Sequence, residues 1–217
     1  MKHAVMDIIP AILAKTEEEF VAKIGRVSQL GLRLQIDVVD GIFAANKTWS
    51  PPERMESLLG DTPFEAHLMV ADPEHAGPIW IAAGSQRVYF HAEATKVDGL
   101  LFRSLSEDDR SKLGIAINPD TPISRIAPSL KYIRSVLVMG VNPGWSGQVM
   151  QTTTVDKIKA IKNLAPTAYV AVDGGVTTEN AKALMDAGAD ALVLGSALTD
   201  APNPYAALAQ LRLALGF

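Results

Sequence analysis

Ionisable side chains lie in segments of this sequence that otherwise have the pattern of buried strands. The segment "LQIDVVDG", residues 34–41, contains Gln35 and Asp37, and similar apolar runs contain His67 and Asp173. Buried charge is costly unless it is paired, so these residues point to one shared site. Two carboxylates and an imidazole can bind one divalent metal ion such as Zn²⁺, Mn²⁺, Fe²⁺ or Mg²⁺. Two aspartates on opposite sides of a substrate carbon can also act as general acid and general base.

Short runs rich in β-branched residues alternate with longer helical patterns along the chain. The strands are predicted at residues 5–13, 32–38, 64–70, 87–92, 113–118, 135–141, 168–173 and 191–195. The helices are predicted at residues 16–30, 52–59, 74–83, 97–104, 123–128, 152–163, 178–187 and 202–214. Strict alternation indicates parallel strands with helical crossovers. The pattern predicts an α/β fold of the (β/α)8 TIM barrel type in one domain, residues 1–217, with a doubly wound open sheet as the alternative.

Residues typical of helix ends support two of these helices. Thr16 precedes three acidic residues and is predicted to cap the first helix, which Gly31 ends. Thr177 or Thr178 is predicted to cap the seventh helix, which Gly188 ends. Hydroxyl caps, acidic first turns and terminal glycines are the signals expected at these positions.

The unusual polar residues gather at the carboxyl ends of the predicted strands, where TIM barrels carry their active sites. Side chains alternate between the two faces of a strand, so Gln35 and Asp37 share one face, as do His67 and Met69. If Asp37 points into the barrel, it can meet His67 and Asp173 near the axis, with Gln35 one layer deeper. Further polar residues at the same end are His91, Glu93, Asn118 and Asn142.

Two other polar residues have simpler interpretations. Asp40 precedes Gly41, a pair typical of turns, and we predict that it shapes the loop after the second strand. His91 is interpreted as a hydrogen-bonded core residue, which is the usual role of a histidine within a strand.

Three glycine-containing turns follow the sixth, seventh and eighth predicted strands. They are "NPGWSGQ" at 142–148, "DGGV" at 173–176 and "LGSAL" at 194–198. Loops at these places in TIM barrels often bind phosphate, because glycine lets backbone N–H groups approach an anion and a helix N-terminus attracts it. The turns therefore predict a phosphorylated substrate. Trp145 belongs either to a mobile lid over the pocket or to a contact surface.

Composition narrows the possible functions. The chain has no cysteine, so disulfides and thiolate metal sites are impossible. A net charge of −4 argues against a general nucleic-acid-binding protein, which usually has a basic face. The N-terminus lacks a signal-peptide pattern, and no apolar stretch is long enough to span a bilayer. We therefore expect a cytoplasmic protein whose partners include neither nucleic acid nor membrane.

An ordered set of short motifs runs nearly from end to end of the chain. The motifs are "PAIL", "IDVVDGIF", "HLMV", "HAEAT", "NPDTP", "MGVNPGWSGQ", "VDGGV" and "LGSAL". Together they resemble the ribulose-phosphate 3-epimerase family. The resemblance implies a metal-dependent isomerase of the pentose phosphate pathway that acts on a ketose phosphate at C3 and forms homo-oligomers. Its reaction would convert D-ribulose 5-phosphate to D-xylulose 5-phosphate through a metal-stabilised enediolate.

The resemblance also implies roles for individual residues. Asp37 and Asp173 correspond to the acid and base on opposite faces of the enediolate, and His67 joins them as a ligand of the metal ion. Gln35 takes the place of a second ligand. Contacts with substrate or phosphate are implied for His67, Met69, Met139, Gly144, Trp145, Ser146, Gly147, Gly174, Gly175, Gly195 and Ser196.

Four positions depart from the family pattern. Gln35 stands where the family has a metal-binding histidine, and a neutral amide is a poorer zinc ligand than imidazole. Ala11 replaces a serine, Val39 a methionine and Ser146 a glycine. The alternatives are therefore a 3-epimerase of another ketose phosphate, such as a hexulose 6-phosphate, and a metal-free phosphosugar-binding relative without epimerase activity. Decarboxylases and aldolases of related barrels are disfavoured, because Val39 occupies the place of the lysine in their Asp-x-Lys-x-x-Asp motif.

Overall fold

Eight parallel strands close into a barrel in the computed structural model, which describes residues 6–94 and 106–217. The strands are β1 (Asp7–Ile12), β2 (Leu34–Val39), β3 (Phe64–Met69), β4 (Val88–His91), β5 (Leu113–Ile117), β6 (Ser135–Met139), β7 (Tyr169–Asp173) and β8 (Ala191–Leu194). Strands that are consecutive in sequence pair with one another, and β8 pairs with β1. This order confirms the predicted TIM barrel and excludes the open sheet. That residues 1–217 form one domain stays a prediction.

The described residues form eight α-helices around this barrel. They are α1 (Glu17–Val27), α2 (Met55–Leu59), α3 (Pro73–Ala82), α4 (Glu107–Ser111), α5 (Thr154–Leu164), α6 (Thr178–Asp186), α7 (Ser196–Thr199) and α8 (Pro204–Leu215). Short 3-10 helices lie at Ser28–Leu30, Pro52–Arg54, Ile123–Arg125 and Ala127–Ser129. The predicted helix at 97–104 lies outside the described residues. Among the described helices, none has the length and apolar character needed to cross a membrane.

Three short elements differ from the prediction. The helix predicted at 123–128 is wrong: two separate 3-10 helices take its place, and Pro128 lacks the N–H that a continuous helix would use there. Helices α4 and α7 were not predicted. Each is only four or five residues long, too short to show a helical hydrophobic period.

The predicted helix caps are present, but α1 ends before the predicted glycine. Thr16 Oγ1 accepts a hydrogen bond from the backbone N–H of Glu19 at 3.3 Å. Helix α1 itself ends at Val27, and Gly31, with φ 67°, ends the 3-10 helix at Ser28–Leu30 that follows it. At α6 the cap is Thr177, whose N–H donates to the Asn180 side chain in a capping box. These local signals fix where the crossover helices begin, and hence how the chain returns to the next strand.

The barrel encloses an interior of its own, separate from the larger core between the strands and the helices. Its apolar part consists of Ile9, Ala11, Tyr89, Ala116, Leu137, Met139, Ala171, Ala191 and Val193. The register pairs Asp37 with His67 between β2 and β3, and Met139 with Asp173 between β6 and β7. Polar side chains therefore enter the interior at the carboxyl ends of the strands, as the alternation of side chains predicts.

Candidate active site

Asp37, His67 and Asp173 meet at the carboxyl end of the barrel. Their strands β2, β3 and β7 bring Nδ1 of His67 to 3.3 Å from Oδ1 of Asp37 and 3.4 Å from Oδ2 of Asp173. All three residues are buried. Pairing of β2 with β3 accounts for the first contact, whereas the second spans the barrel and needs its closure. The arrangement places two carboxylates on one imidazole nitrogen.

Gln35 lies one layer deeper, on the same face of β2 as Asp37. Its Nε2 donates hydrogen bonds to Oδ1 of Asp37 at 2.8 Å and to Oδ2 of Asp173 at 2.7 Å. The same nitrogen lies 3.5 Å from Nδ1 of His67. Its Oε1 is buried and has no hydrogen-bond partner in the part of the chain that the structure describes. One neutral amide therefore holds the two carboxylates together.

Burial and mutual contacts shift the acidities in this cluster. Burial raises the pKa of Asp37, and the charge of Asp173 raises it further against the hydrogen bonds from His67 and Gln35. Burial on its own would lower the pKa of His67, but its hydrogen bonds to Asp173 and Asp37 prevail and raise it to about 9. A carboxyl group that holds a proton more tightly than usual is suited to acid–base chemistry near neutral pH.

A divalent metal ion fits the donor set of this cluster. One ligand atom from each of Asp37, His67 and Asp173 lies within 4.8 Å of the others. Gln35 now turns its nitrogen, which cannot be a ligand, toward the carboxylates. Rotation of the amide would turn the unpartnered Oε1 toward the carboxylates, which is favourable only when a cation lies between them. The three ionisable residues can therefore hold a metal, and Gln35 can add a neutral oxygen.

A second histidine extends the cluster behind His67. The Nε2 atoms of His67 and His91 lie 2.9 Å apart, and Nδ1 of His91 lies 3.2 Å from Oε2 of Glu93. His91 is fully buried, which agrees with its interpretation as a hydrogen-bonded core residue. The sequence did not reveal its partners, although His91 and Glu93 stand two residues apart, the spacing that places strand residues on one face.

Above the cluster opens a cavity of about 670 Å³. Asp37, His67 and Asp173 lie among its lining residues, and so do Met69 and Met139. The turns after β6, β7 and β8 supply the remaining predicted contact residues, which all line this cavity: Gly144, Trp145, Ser146, Gly147, Gly174, Gly175, Gly195 and Ser196. The structure thus brings every sequence-predicted contact residue to one cavity.

The turn after β7 requires its two glycines. Gly174 and Gly175 have φ values of 95° and 70°, in the region that disfavours other residues. A Cβ on Gly175 would lie 2.5 Å from the backbone N of Met150, and one on Gly174 would lie 2.4 Å from Cγ2 of Val141. The chain can therefore pass close to the turn after β6 only because both side chains are absent.

The turn after β6 is tied to its surroundings. Gln148 Nε2 donates to the carbonyl oxygens of Asn142 and Trp145, and Asn46 Nδ2 donates to that of Gly144 at 2.8 Å. The Trp145 side chain lines the cavity while about half of its surface stays exposed. Ser146, one of the departures from the family pattern, points its hydroxyl toward Gly195, since a Cβ there would lie 3.7 Å from Oγ.

Asp40 shapes the loop after β2, as predicted. Its Oδ1 accepts hydrogen bonds from the backbone N–H groups of Ile42 and Phe43, and its Oδ2 accepts one from Ala71 at 2.7 Å. Burial on its own would raise the pKa of Asp40, but these hydrogen bonds together lower it. Asp40 therefore joins the ends of β2 and β3 and takes no part in the cluster below.

Comparison with known proteins now identifies the family. A family model described as the ribulose-phosphate 3 epimerase family matches residues 7–199. The chain belongs to the ribulose-phosphate 3-epimerase family. The ribulose-phosphate 3-epimerase of Mycobacterium tuberculosis is 35% identical over 189 residues, which cover 84% of this chain and 82% of that protein. The chloroplastic ribulose-5-phosphate-3-epimerase of Arabidopsis thaliana is 35% identical over 208 residues, which cover 91% of this chain and 73% of that protein.

Solved structures show the same fold at much lower identity. The crystal structure of 3-hexulose-6-phosphate synthase from Salmonella typhimurium has a TM-score of 0.72 and 16% identity, with 97% of this chain and 98% of that chain covered. At that identity the likeness concerns the fold alone. The ribulose-phosphate 3-epimerase family is assigned by the sequence comparisons.

Proposed function

We propose that this family member converts D-ribulose 5-phosphate to D-xylulose 5-phosphate, with Asp37 and Asp173 as its acid–base pair. The observation that carries the proposal is the position of both carboxylates at the floor of a cavity whose rim consists of glycine turns. The carboxylates come from strands that are not neighbours, β2 and β7, so a sugar between them can be approached from two sides. Relatives named as ribulose-phosphate 3-epimerases support this choice of substrate.

Epimerisation at C3 removes the proton from one face of that carbon and adds a proton to the opposite face. The carbonyl at C2 acidifies the C3–H bond, so one aspartate can remove that proton and leave an enediolate. The other aspartate, protonated beforehand, then delivers its proton to the opposite face of C3. Because burial raises the pKa of Asp37, this residue can hold the proton that the reaction requires.

The residues around the pair have supporting roles in this proposal. The Gln35 amide holds the two carboxylates in fixed positions through its two N–H donors. Met69 and Met139 make the cavity floor partly apolar, which limits water near the reacting carbon. A divalent metal held by Asp37, His67 and Asp173 supplies positive charge to the enediolate oxygens when it is bound.

The substrate phosphate is assigned to the turns after β7 and β8. Gly174, Gly175, Gly195 and Ser196 line the cavity. Backbone N–H groups in glycine turns are suited to a phosphate, because they donate several hydrogen bonds to one anion. A pentulose phosphate can then place its reacting carbon at the cluster and its phosphate at the turns, in separate parts of one cavity.

An epimerase for another ketose phosphate is the second candidate. It is favoured by Ala11 and Ser146, two departures from the family pattern that both line the cavity. A smaller residue at 11 and a larger one at 146 change the shape available to the sugar chain. A hexulose 6-phosphate therefore belongs in the substrate panel.

The experiment that tests the proposal is a turnover assay with a panel of ketose phosphates. Protein purified without chelator is analysed for Zn, Mn, Fe and Mg, then incubated with ribulose 5-phosphate and with hexulose 6-phosphates. Formation of xylulose 5-phosphate at the highest kcat/KM is expected. Binding of the phosphosugars without any turnover, in every metal form, would instead establish a phosphosugar-binding relative.

The oligomeric state and the cellular location of the protein are also part of the proposal. A homo-oligomer is implied by the family resemblance, and sedimentation equilibrium measures it. A cytoplasmic location is our expectation for this chain, whereas the Arabidopsis thaliana relative is chloroplastic. Cell fractionation with antibodies against the protein distinguishes the two compartments.

A further inference from the structure

A line of hydrogen-bonded side chains runs from the candidate metal cluster away from the cavity. Nε2 of His67 lies 2.9 Å from Nε2 of His91, and Nδ1 of His91 lies 3.2 Å from Oε2 of Glu93. Both imidazoles are fully buried, and Glu93 is partly buried. None of these contacts belongs to the proposed acid–base pair, and neither His91 nor Glu93 lines the cavity.

The hydrogen bonds at Glu93 determine which atom donates and which accepts in each of these contacts. Oε1 of Glu93 accepts a hydrogen bond from the backbone N–H of Asn118 at 3.0 Å and another from the Thr121 hydroxyl. Burial would raise the pKa of Glu93, but its hydrogen bonds with His91, Thr121 and Asn118 lower it to about 2. Glu93 is therefore a carboxylate, which can only accept hydrogen bonds. Nδ1 of His91 must then carry the proton of their shared bond.

The position of the proton on His91 in turn determines the position of the proton on His67. His91 is fully buried and its Nδ1 already donates to Glu93, so a second proton on the ring is disfavoured. With its proton on Nδ1, neutral His91 has a lone pair on Nε2. The short contact between the two rings then requires a proton on Nε2 of His67. What remains variable on His67 is Nδ1, the atom that faces Asp37 and Asp173.

We propose that Glu93 and His91 are positioning residues, which keep His67 protonated at Nε2 so that the Nδ1 lone pair is available to a divalent cation between the two aspartates. The inference rests on the metal site of the proposed function and adds the residues that orient one of its ligands. Outer partners of this kind commonly fix the tautomer of a ligating histidine.

The Glu93→Gln substitution keeps the shape of the side chain but reverses the direction of the hydrogen bonds that link residue 93, His91 and His67. The N–H of Asn118 needs an acceptor, so the glutamine oxygen takes the place of Oε1 and its NH₂ faces His91. An NH₂ donates, so Nδ1 of His91 loses its proton and Nε2 gains one. His91 then donates to His67, whose proton moves to Nδ1 and blocks that atom as a ligand.

The test compares wild-type protein with Glu93→Gln in two ways. Long-range ¹H–¹⁵N spectra of histidine-labelled, metal-free protein report which ring nitrogen carries each proton, and calorimetric titration with Zn²⁺ reports the metal affinity. In the wild type we expect the proton between the two rings on Nε2 of His67 and the proton facing Glu93 on Nδ1 of His91, whether or not Nδ1 of His67 is also protonated. In Glu93→Gln both assignments reverse, and Zn²⁺ affinity falls by about 10–100-fold.

Thr121→Val is the matched control. It removes a hydrogen bond to Oε1 of Glu93 but leaves the carboxylate facing His91, so wild-type tautomers are expected. A wild-type spectrum with His91 protonated at Nε2 would overturn the inference, even if Glu93→Gln failed to fold. So would weaker Zn²⁺ binding in Glu93→Gln with unchanged tautomers, since loss of charge alone would then explain it. Wild-type protein with the expected tautomers but no epimerase activity would refute only the proposed function.

Discussion

Both ends of the barrel interior bury carboxylates, and the two ends balance this negative charge with different partners. At the amino ends of the strands, Glu65 faces two guanidinium groups: Nη1 of Arg87 lies 3.1 Å from its Oε2, and Nη1 of Arg33 lies 3.5 Å away. At the carboxyl ends, Asp37 and Asp173 share a neutral amide and one imidazole. Arginine stays charged at every relevant pH, whereas the imidazole can exchange its proton.

This difference separates a structural site from a reactive one. The guanidinium groups of Arg33 and Arg87 stay charged beside Glu65, which leaves no place for a metal ion. Among the residues that the structure describes, no lysine or arginine forms an ion pair with the two aspartates, so the cluster has capacity for a proton, a metal ion or both in turn. We infer that the end with unbalanced charge performs the chemistry, and four predictions test this comparison.

The largest effect is expected from removing either carboxylate at the reactive end. Asp37→Asn and Asp173→Asn each keep the shape of the side chain but cannot take up or deliver the C3 proton. We expect kcat to fall by about 10²–10⁴-fold in each variant, the usual contribution of general acid–base catalysis. Asp7→Asn is the matched control, because Asp7 is also on a barrel strand but accepts a hydrogen bond from Tyr169 far from the cluster. Equal losses in all three variants would contradict the division of the barrel into two ends.

The opposite pattern is expected at the structural end. Glu65→Gln puts an NH₂ group at the buried place of Oε1, which has no hydrogen-bond partner among the described residues, and an unsatisfied buried donor costs about 1–3 kcal/mol. We expect that loss in the free energy of unfolding, measured in urea, with kcat nearly unchanged in the folded protein. A variant of normal stability and impaired turnover would place Glu65 in the reaction and break the comparison.

Gln35→His sharpens the comparison by adding a second imidazole to the reactive end. The new side chain replaces an amide whose nitrogen cannot ligate a metal with a strong ligand for the same ion. We expect the affinity for Zn²⁺ to rise on the order of tenfold, which corresponds to about 1.4 kcal/mol. Calorimetric titration measures it. Unchanged affinity would count against Gln35 facing the metal.

The smallest effect is expected in the pH dependence of the free energy of unfolding, to which the two ends of the barrel contribute with opposite sign. Burial would raise the pKa of Glu93, but its hydrogen bonds lower it to about 2, so its stabilising contribution exists above the ordinary value of 4.5 and is lost as the pH falls toward 2. Burial raises the pKa of Glu65 despite its two arginine partners. The folded state therefore binds that proton more readily than the unfolded chain, and the contribution of Glu65 grows as the pH falls through its raised pKa.

Urea unfolding of wild type, Glu93→Gln and Glu65→Gln between about pH 3 and pH 6 separates the two responses, because each variant removes one titrating group. The stability difference between wild type and Glu93→Gln should shrink as the pH falls. The difference between wild type and Glu65→Gln should widen. If both stability differences changed in the same direction with pH, the pKa values of the two carboxylates would be shifted in the same direction, contrary to this prediction.

Most of the fold was predictable from the sequence because the signals for it are local. Alternating strand and helix patterns located all eight strands, each end within two residues of its place in the structure. A hydroxyl cap located the start of α1 at Thr16, and a glycine stop located the end of the following 3-10 helix at Gly31. Elements of three to five residues, such as α4 and the 3-10 helices near Pro128, were missed or misassigned because they are shorter than one hydrophobic period.

The residues that form the site were predictable from the sequence, but the hydrogen bonds between them were not. Strand parity placed Gln35, Asp37 and His67 on inward faces, and barrel closure brought Asp173 to them. No pattern in the sequence indicated that the Gln35 amide would donate to both carboxylates, or that His67 would meet Glu93 through His91. Those contacts depend on the register between strands and on side-chain orientation, which a linear pattern does not contain.

The proposed acid–base pair is tested most directly by following the C3 hydrogen in deuterated water. Wild-type protein and Asp37→Asn are incubated with ribulose 5-phosphate, and deuterium at C3 of the product is measured by NMR. Because the proton removed by one aspartate is replaced by a solvent-derived proton from the other, xylulose 5-phosphate should carry one deuterium at C3, and the variant should form product far more slowly. Product without deuterium, or product formed equally fast by Asp37→Asn, would contradict this mechanism.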